Sequence, residues 1–513
     1  MHRDQKYFTG TAQPIGRHAL FIVLALYVSL WIVYPKQFIA SDPWAYSLLA
    51  HRVTQGNFLG SIANHVTTHR LAVFLPVSLF YKIFGVNIFS TNLWPLISTL
   101  IIMVVVWSSL SEYPSRIFAL LFCSTSVLLF KQSVSLYPDI IATSFMALSS
   151  LFLFYRKKVL DKKFLNTFYP VLAVLFLFIA FMAKMSAYWV LPLWIYAFIT
   201  DLKESNYNLI RRFYLPVVIS ALVVATFYFV ICDLIWGNPL ARFYSIQNIS
   251  THHLWTWKEL SLITLFKRFT IWPVRLFLST YGIIPILSLF SIWILPRRLR
   301  FWACYVFSTL LFFWFGTTSF TTYQPMPMFP RMTLPLLPGM AILAGHSAGW
   351  LFVKFKNAGH LNTKVVFLIF SLIISLPFIV YAFSWPSNKA SESHAMKILS
   401  DRVYAEKNRK FLLLCSDVRS PKSLQFYFQY SYPKNLDVVF MGNASERRIK
   451  ESDVVMIFLH VRRSEFLSTT FNKKNYDQKI RELDLKKIFS ENGIMLFECR
   501  NRADLIRVIT ENE

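Results

Sequence analysis

Between the first apolar run of the chain and the second lies a stretch, residues 35–87, crowded with side chains that can do chemistry. ASDPWAYSLLAHRV (40–53) supplies Asp42, Tyr46, His51 and Arg52, and NHVTTHRL (64–71) supplies His65, His69 and Arg70. A carboxylate within hydrogen-bond reach of a hydroxyl can take its proton as the oxygen attacks. Cations around it favour its charged form and keep it available as a base at neutral pH. More charge follows at the edges of later apolar runs: Asp139 in SLYPDIIATSF, Lys184 in FMAKMSAYWVLPL, Asp233, and Arg331 in FPRMTLPLLPG, with Tyr323 in the proline-rich TTYQPMPMFP before it. Cations so placed suit a phosphate, and arginine suits it best because its planar fork grips two oxygens at once.

Each of these residues also has a plainer reading. Ser41-Asp42-Pro43 is a good helix start, with the acid at the cap and proline in the first turn. Asp139 and Asp233 can cap helices in the same way, and Lys184 can extend its ammonium toward headgroups. His65 and His69, four apart, would share a helix face and could ligate a metal, but two histidines without a clear third ligand seldom make a site. No metal is expected. A divalent ion would need Asp42 and Asp139 together.

The elements that must position these groups are membrane spans. Of 513 residues 55% are hydrophobic and only 15% charged, against about 25% charged in soluble domains. Eleven apolar segments of span length are expected near 18–34, 88–110, 116–131, 139–155, 167–183, 186–200, 213–232, 272–295, 300–319, 332–353 and 364–384. Basic clusters at 156–163, 211–212, 297–300 and 354–364 mark the cytoplasmic loops. The N-terminus then lies inside, and loops 35–87, 132–138, 233–271 and 320–331 lie outside. No small-residue cleavage site follows the first span, so it is read as retained. The net charge of +27 does not point to nucleic acid, because the basic residues are scattered rather than gathered on one soluble face.

After residue 385 the composition changes. Residues 386–513 hold 23 of the 53 basic and 17 of the 26 acidic residues. KFLLLC (410–415), LDVVF (436–440), DVVMIFL (453–459) and GIMLFEC (493–499) read as buried strands, with helices at 423–432 and 475–486. The expected architecture is therefore a polytopic α-helical membrane domain, 1–385, followed by a soluble α/β domain, 386–513, outside the cytoplasm with a mostly parallel sheet. Cys415 and Cys499 each end a strand there and are candidates for pairing. No glycine-rich phosphate loop follows any strand.

Apart from His346, no ionisable residue falls well inside an expected span. Ion-coupled carriers place such groups near the bilayer midplane, so chemistry at the outer interface fits better. A lipid flippase or carrier, and a non-catalytic assembly subunit, remain the alternatives.

The ordered set of motifs resembles the GT-C superfamily of lipid-linked glycosyltransferases, in particular its protein O-mannosyltransferase and aminoarabinose-transferase branch. The family's acid-then-aromatic after the first span is similar to Asp42 and Tyr46, and Phe84-Gly85 stands where its F-G precedes the second. SLYPDIIATSF resembles the turn before the fourth span, FMAKMSAYWVLPL the lysine hairpin, and FPRMTLPLLPG the R-Y-x-L-P-x-x-P of a late span. Pro43 stands in place of the family's Glu, and Met332 in place of its Tyr. The resemblance implies a GT-C-like fold in a bacterial inner membrane and transfer of a sugar from a polyprenyl-phosphate donor to a hydroxyl of a lipid, glycan or protein. It implies an inverting displacement without a cofactor. Asp42, or Asp139, would be the base; Arg70, Lys184, Arg331 and Tyr323 would hold the donor phosphate; Tyr46, His65, His69 and Asp233 would contact substrate.

Overall fold

The computed structural model describes residues 15–34, 42–57, 67–160, 163–247, 261–317, 326–357, 363–384, 387–415, 433–440, 446–460, 485–491 and 494–499, with 503 and 505. The chain forms two compact units. One comprises Met1–Tyr34, Arg52–Ile83 and Ser90–Val380, the other Pro35–His51, Phe84–Phe89 and Tyr381–Glu513. The segments Pro35–His51 and Phe84–Phe89 thus group with the stretch from Tyr381 onward.

Helix occupies every one of the eleven expected apolar segments. Among the described residues, four helices are by themselves long and apolar enough to cross a membrane: Ile88–Ser109, Met185–Lys203, Tyr207–Trp236 and Pro330–Phe355. Two more candidates are bent pairs. Tyr113–Ser124 and Val127–Ser133 meet at 59°, and Ile271–Tyr281 and Ile284–Ile294 at 108°. The straight span expected over 272–295 is therefore broken. Gly282 makes the break with φ 56°, ψ −121°, a conformation open to glycine and strained for other residues. Residues 72–85, expected to close an outer loop, instead form the apolar helix Leu71–Phe84.

Helix ends in the first unit are tied by side chains. Ser126 caps Val127–Ser133 by accepting from the Leu129 amide, while Trp31 donates to the Ser133 carbonyl at 2.8 Å, an acceptor that the helix itself leaves unsatisfied. Away from the candidate site, Arg156 grips the fully buried carboxylate of Asp201, which also accepts from the Tyr214 hydroxyl at 2.7 Å. The Leu337–Asn357 helix packs closely on Tyr113–Ser124 through Gly345 and Gly349.

The second unit holds a five-stranded sheet: β1 (Phe411–Cys415), β2 (Leu436–Phe440), β3 (Val454–His460), β4 (Leu485–Glu491) and β5 (Ile494–Cys499), in the order β2-β1-β3-β5-β4. The first three strands are parallel, while β5 runs antiparallel to both β3 and β4. The sheet is mixed rather than mostly parallel, and β4 begins within the segment expected to be helical, 475–486. Its exposed Lys486 and Lys487 break the apolar pattern, as lysines commonly do on an edge strand. The expected helix 423–432 lies outside the described residues. The Ser387–Ala405 helix sets Ala395, Met396, Leu399 and Val403 against Phe411, Leu413, Met456 and Leu496. Cys415 and Cys499 are both buried. Cys415 is level with Phe458 of β3 and Cys499 with Val455. Two strand spacings of about 4.8 Å and three residues of about 3.3 Å separate them, beyond the roughly 7 Å a disulfide spans.

Candidate active site

Lys184 stands where the Lys163–Ala183 helix stops. Its amide completes the last turn by donating to the Ala180 carbonyl at 2.9 Å, and its carbonyl accepts from Ala187. Its own backbone is extended, φ −155°, so the side chain leaves a fixed break between two helical segments. The ammonium donates to the Asp139 carboxylate at 2.5 Å, and the two side chains are 14% and 3% exposed. Asp139 lies in the first turn of Pro138–Phe154, where a negative charge meets the positive end of the helix dipole.

Tyr137, the residue before this helix, carries a second cation: the Arg331 guanidinium lies 4.9 Å from its ring centroid. Arg331 belongs to the 3-10 turn Pro330–Leu336. Tyr281 meets Thr333 of this turn at 2.8 Å, and Tyr305 donates to the Pro335 carbonyl at 2.9 Å. A third cation, Arg70, follows the Thr67–His69 turn and leads into Leu71–Phe84. Trp94 fixes that entry by donating to the Ala72 carbonyl at 3.0 Å.

Arg242, in the short helix Ala241–Gln247, is only 1% exposed. It donates to the Phe181 carbonyl and to Met182 Sδ at 3.7 Å, and lies 4.6 Å from the Phe181 ring centroid. Among the described residues no carboxylate pairs with it, and its Nε has no hydrogen-bond partner.

These cations act on one another. Burial pushes the Lys184 ammonium below the usual lysine value; Asp139 opposes that, while Arg70 and Arg331 add to it. Burial foremost, with the charge of Arg70 adding to it, lowers Arg242 to about 10, so it stays cationic at neutral pH. The Lys184–Asp139 pair thus lies in the field of Arg70 and Arg331, and Arg70 acts on Arg242 as well. Cations gathered in this way favour binding of an anion.

His69 sits beside this group with its ring 4.4 Å from that of Trp236. Burial first, and then Arg242, bring it down to about 4. It is neutral at pH 7 and can offer a hydrogen bond but no charge.

An apolar groove of about 390 Å³ adjoins the cations, lined by Leu71, Leu75, Trp94, Phe178, Met182 and Phe227 among others. Leu71 follows Arg70 directly, and Met182 is the residue whose sulfur accepts from Arg242. A phosphate on a long apolar chain has complementary partners here for both of its parts.

No protein-family model matches the sequence, and no curated protein matches it. Solved structures do. ArnT from Cupriavidus metallidurans in the apo state superposes with a TM-score of 0.59 at 12% identity, over 96% of this chain and 99% of that one. The same protein bound to undecaprenyl phosphate gives 0.56 at 13%, covering 93% and 97%. The oligosaccharyltransferase AglB from Archaeoglobus fulgidus, with an inhibitory peptide and a dolichol-phosphate, gives 0.52 at 13%, covering 94% and 74%. This chain shares the fold of these proteins.

Within that fold, Arg70, Lys184 and Arg331 come together from three distant parts of the chain, with Asp139 on Lys184 and His69 beside Arg242. Asp139 differs from the expectation of a free base, because its buried carboxylate is committed to the lysine. Asp42 opens the helix Asp42–Thr54 in the second compact unit, with Tyr46 fully buried one turn on. Asp233 is not drawn in. It is exposed in the last turn of Tyr207–Trp236, and only its backbone carbonyl takes part in capping, by accepting from Gly237 at 2.8 Å. His65 and Tyr323 lie outside the described residues. Among the described residues no three metal-ligating side chains meet.

Sequence reasoning missed Arg242. The signal was present: an arginine after the Asn238-Pro239 turn, on the face that the Lys/Arg bias otherwise leaves poor in cations.

Proposed function

We propose that the protein is a membrane glycosyltransferase that moves a sugar from a polyprenyl-phosphate donor to an acceptor hydroxyl. The observation that carries this reading is the gathering of Arg70, Lys184, Arg242 and Arg331 beside the apolar groove. The fold shared with ArnT, which has been seen with undecaprenyl phosphate, supports it.

In the reaction proposed, the acceptor oxygen bonds to the anomeric carbon as the bond from that carbon to the phosphate oxygen breaks. The electron pair leaves with the lipid phosphate, and the hydroxyl proton passes to a carboxylate. Asp42 is the candidate for that carboxylate. The cations stabilise charge growing on the departing phosphate, where scarce water makes each worth more than in solution. Asp139 is a positioning residue: it aims the Lys184 ammonium and offsets part of the repulsion from the arginines. With Lys184 on its carboxylate, Asp139 is poorly placed to ligate a divalent ion. The expected setting is a bacterial inner membrane with the C-terminal unit in the periplasm.

Binding of undecaprenyl phosphate to purified protein tests the reading. Arg331→Ala and Arg242→Gln should each weaken it by about tenfold or more, the range of a lost charge-assisted hydrogen bond. Arg331→Lys should restore it only in part, because an ammonium lacks the fork. Unchanged binding in both Arg331→Ala and Arg242→Gln would remove the phosphate site. Binding without sugar transfer in extracts carrying donor and acceptors would point instead to a flippase or an assembly subunit.

A further inference from the structure

The Ile271–Tyr281 helix has two unlike faces. Pro273, Phe277 and Tyr281 are buried, with the Phe277 ring 6.0 Å from Phe313 and the Tyr281 hydroxyl on Thr333. On the opposite face Ile271, Val274 and Leu278 are exposed, and Arg275 is exposed among them. These four residues, with Thr270 and Ser279, line an open groove of about 690 Å³. The two hydroxyls are turned to backbone: Thr270 donates to the Phe266 carbonyl and Ser279 to that of Leu276. Arg275 makes no hydrogen bond or ion pair with any described residue, so it is the polar group that the groove presents.

We propose that this face binds an anionic phospholipid, its phosphate on the Arg275 guanidinium and an acyl chain along Ile271, Val274 and Leu278. The bend at Gly282 leaves this helix only 11 residues long, about 16 Å at 1.5 Å per residue. That is roughly half of a ~30 Å hydrocarbon core, so the helix occupies one leaflet. Arg275, four residues from its start, lies about 6 Å along it, within a side chain's reach of the phosphates. An arginine on an apolar face inside a membrane is costly unless an anion meets it, and the guanidinium fork matches a phosphodiester. The preceding helix, Leu262–Phe269, exposes Leu262, Ile263 and Phe266 beside Lys267, a composition suited to the plane of the headgroups. This lipid is distinct from any sugar donor and does not depend on the activity proposed above.

Native mass spectrometry of the whole protein, delipidated and titrated with phosphatidylglycerol or phosphatidylcholine, tests the site. The wild type should retain one phosphatidylglycerol about tenfold or more in preference to phosphatidylcholine, as a charge-assisted contact allows. Arg275→Gln should abolish that preference, while Lys267→Gln leaves it in place and separates a built site from general basic attraction. Leu278→Trp, which fills the groove with Arg275 intact, should also displace the lipid. Arg275 is exposed, so size-exclusion profiles should match the parent. Equal retention of the two lipids by the wild type, or undiminished phosphatidylglycerol on a monodisperse Arg275→Gln variant, overturns the proposal. Cross-linking of two copies through residue 275 would assign the face to self-association and overturn it equally.

Discussion

The Lys184 ammonium meets the Asp139 carboxylate across the gap between two helix ends, and neither side chain is substantially exposed. Asp139 therefore sets both the direction and the charge of the lysine. Asp139→Asn keeps the shape and removes the charge that holds the Lys184 proton against Arg70 and Arg331. Binding of undecaprenyl phosphate should then be lost at a lower pH than in the parent as the solution is made alkaline, with little change in more acid solution. Asp139→Ala should in addition cost about 3 kcal/mol of stability, as when one partner of a buried pair is removed. Superimposable pH profiles for parent and Asn variant would mean that Asp139 does not hold the lysine's charge.

His69 gives an acid-side prediction. Its folded value, about 4, lies below the ordinary 6.5, so between those values the unfolded chain binds the extra proton. Stability should rise with pH across that window and be lost as pH falls from about 6.5 toward 4. His69→Phe preserves the contact with Trp236 and removes the titration, so the acid limb of the melting-temperature profile should flatten. An unaltered limb would show that other groups govern it.

Gly345 makes a packing prediction. A Cβ there would stand 2.6 Å from the backbone N and Cα of Ala119, and one at Gly349 would stand 2.8 Å from the Ser115 amide. Backbone cannot rotate aside as a side chain does. Gly345→Val should force the helices apart and cost about 1–3 kcal/mol, as overpacking does, read as a lower melting midpoint in detergent. A midpoint equal to the parent's would place slack at this contact.

What could be read from the sequence was what hydropathy and charge encode. Apolar segments predicted helices because in a bilayer every backbone group must be bonded internally. KFLLLC, LDVVF and DVVMIFL predicted strands because they are short apolar runs, and strands occupy them. The bend at Gly282 escaped because apolar composition carries no direction, and one glycine with positive φ turned an expected span into two half-length helices. The unlike ends of Cys415 and Cys499 escaped because strand direction is a tertiary property. Arg70, Lys184 and Arg331 could be named from their place at span ends, but the ion pair that commits Asp139 to Lys184 needed coordinates. Arg242 could have been named from its place after the Asn238-Pro239 turn, but its burial, which sets it apart from the scattered basic residues of the loops, needed coordinates.

Asp42 remains the candidate base, and a single change separates its two roles. It begins the Asp42–Thr54 helix with Pro43 next to it, so its charge meets the positive end of the helix dipole whatever else it does. Asn caps equally well and keeps the shape, so a purely capping Asp42 predicts that Asp42→Asn is nearly silent in stability and in transfer. An amide cannot accept the hydroxyl proton, so a catalytic Asp42 predicts a fall in transfer of at least ~10²-fold with undecaprenyl phosphate binding unchanged. Asp42→Ala loses both functions and should also lower stability by about 1 kcal/mol. Transfer and binding measured side by side on the Asn variant decide the matter. Activity within a few-fold of the parent makes Asp42 a cap and leaves the acceptor's proton to another group, whereas lost transfer with intact binding identifies the base.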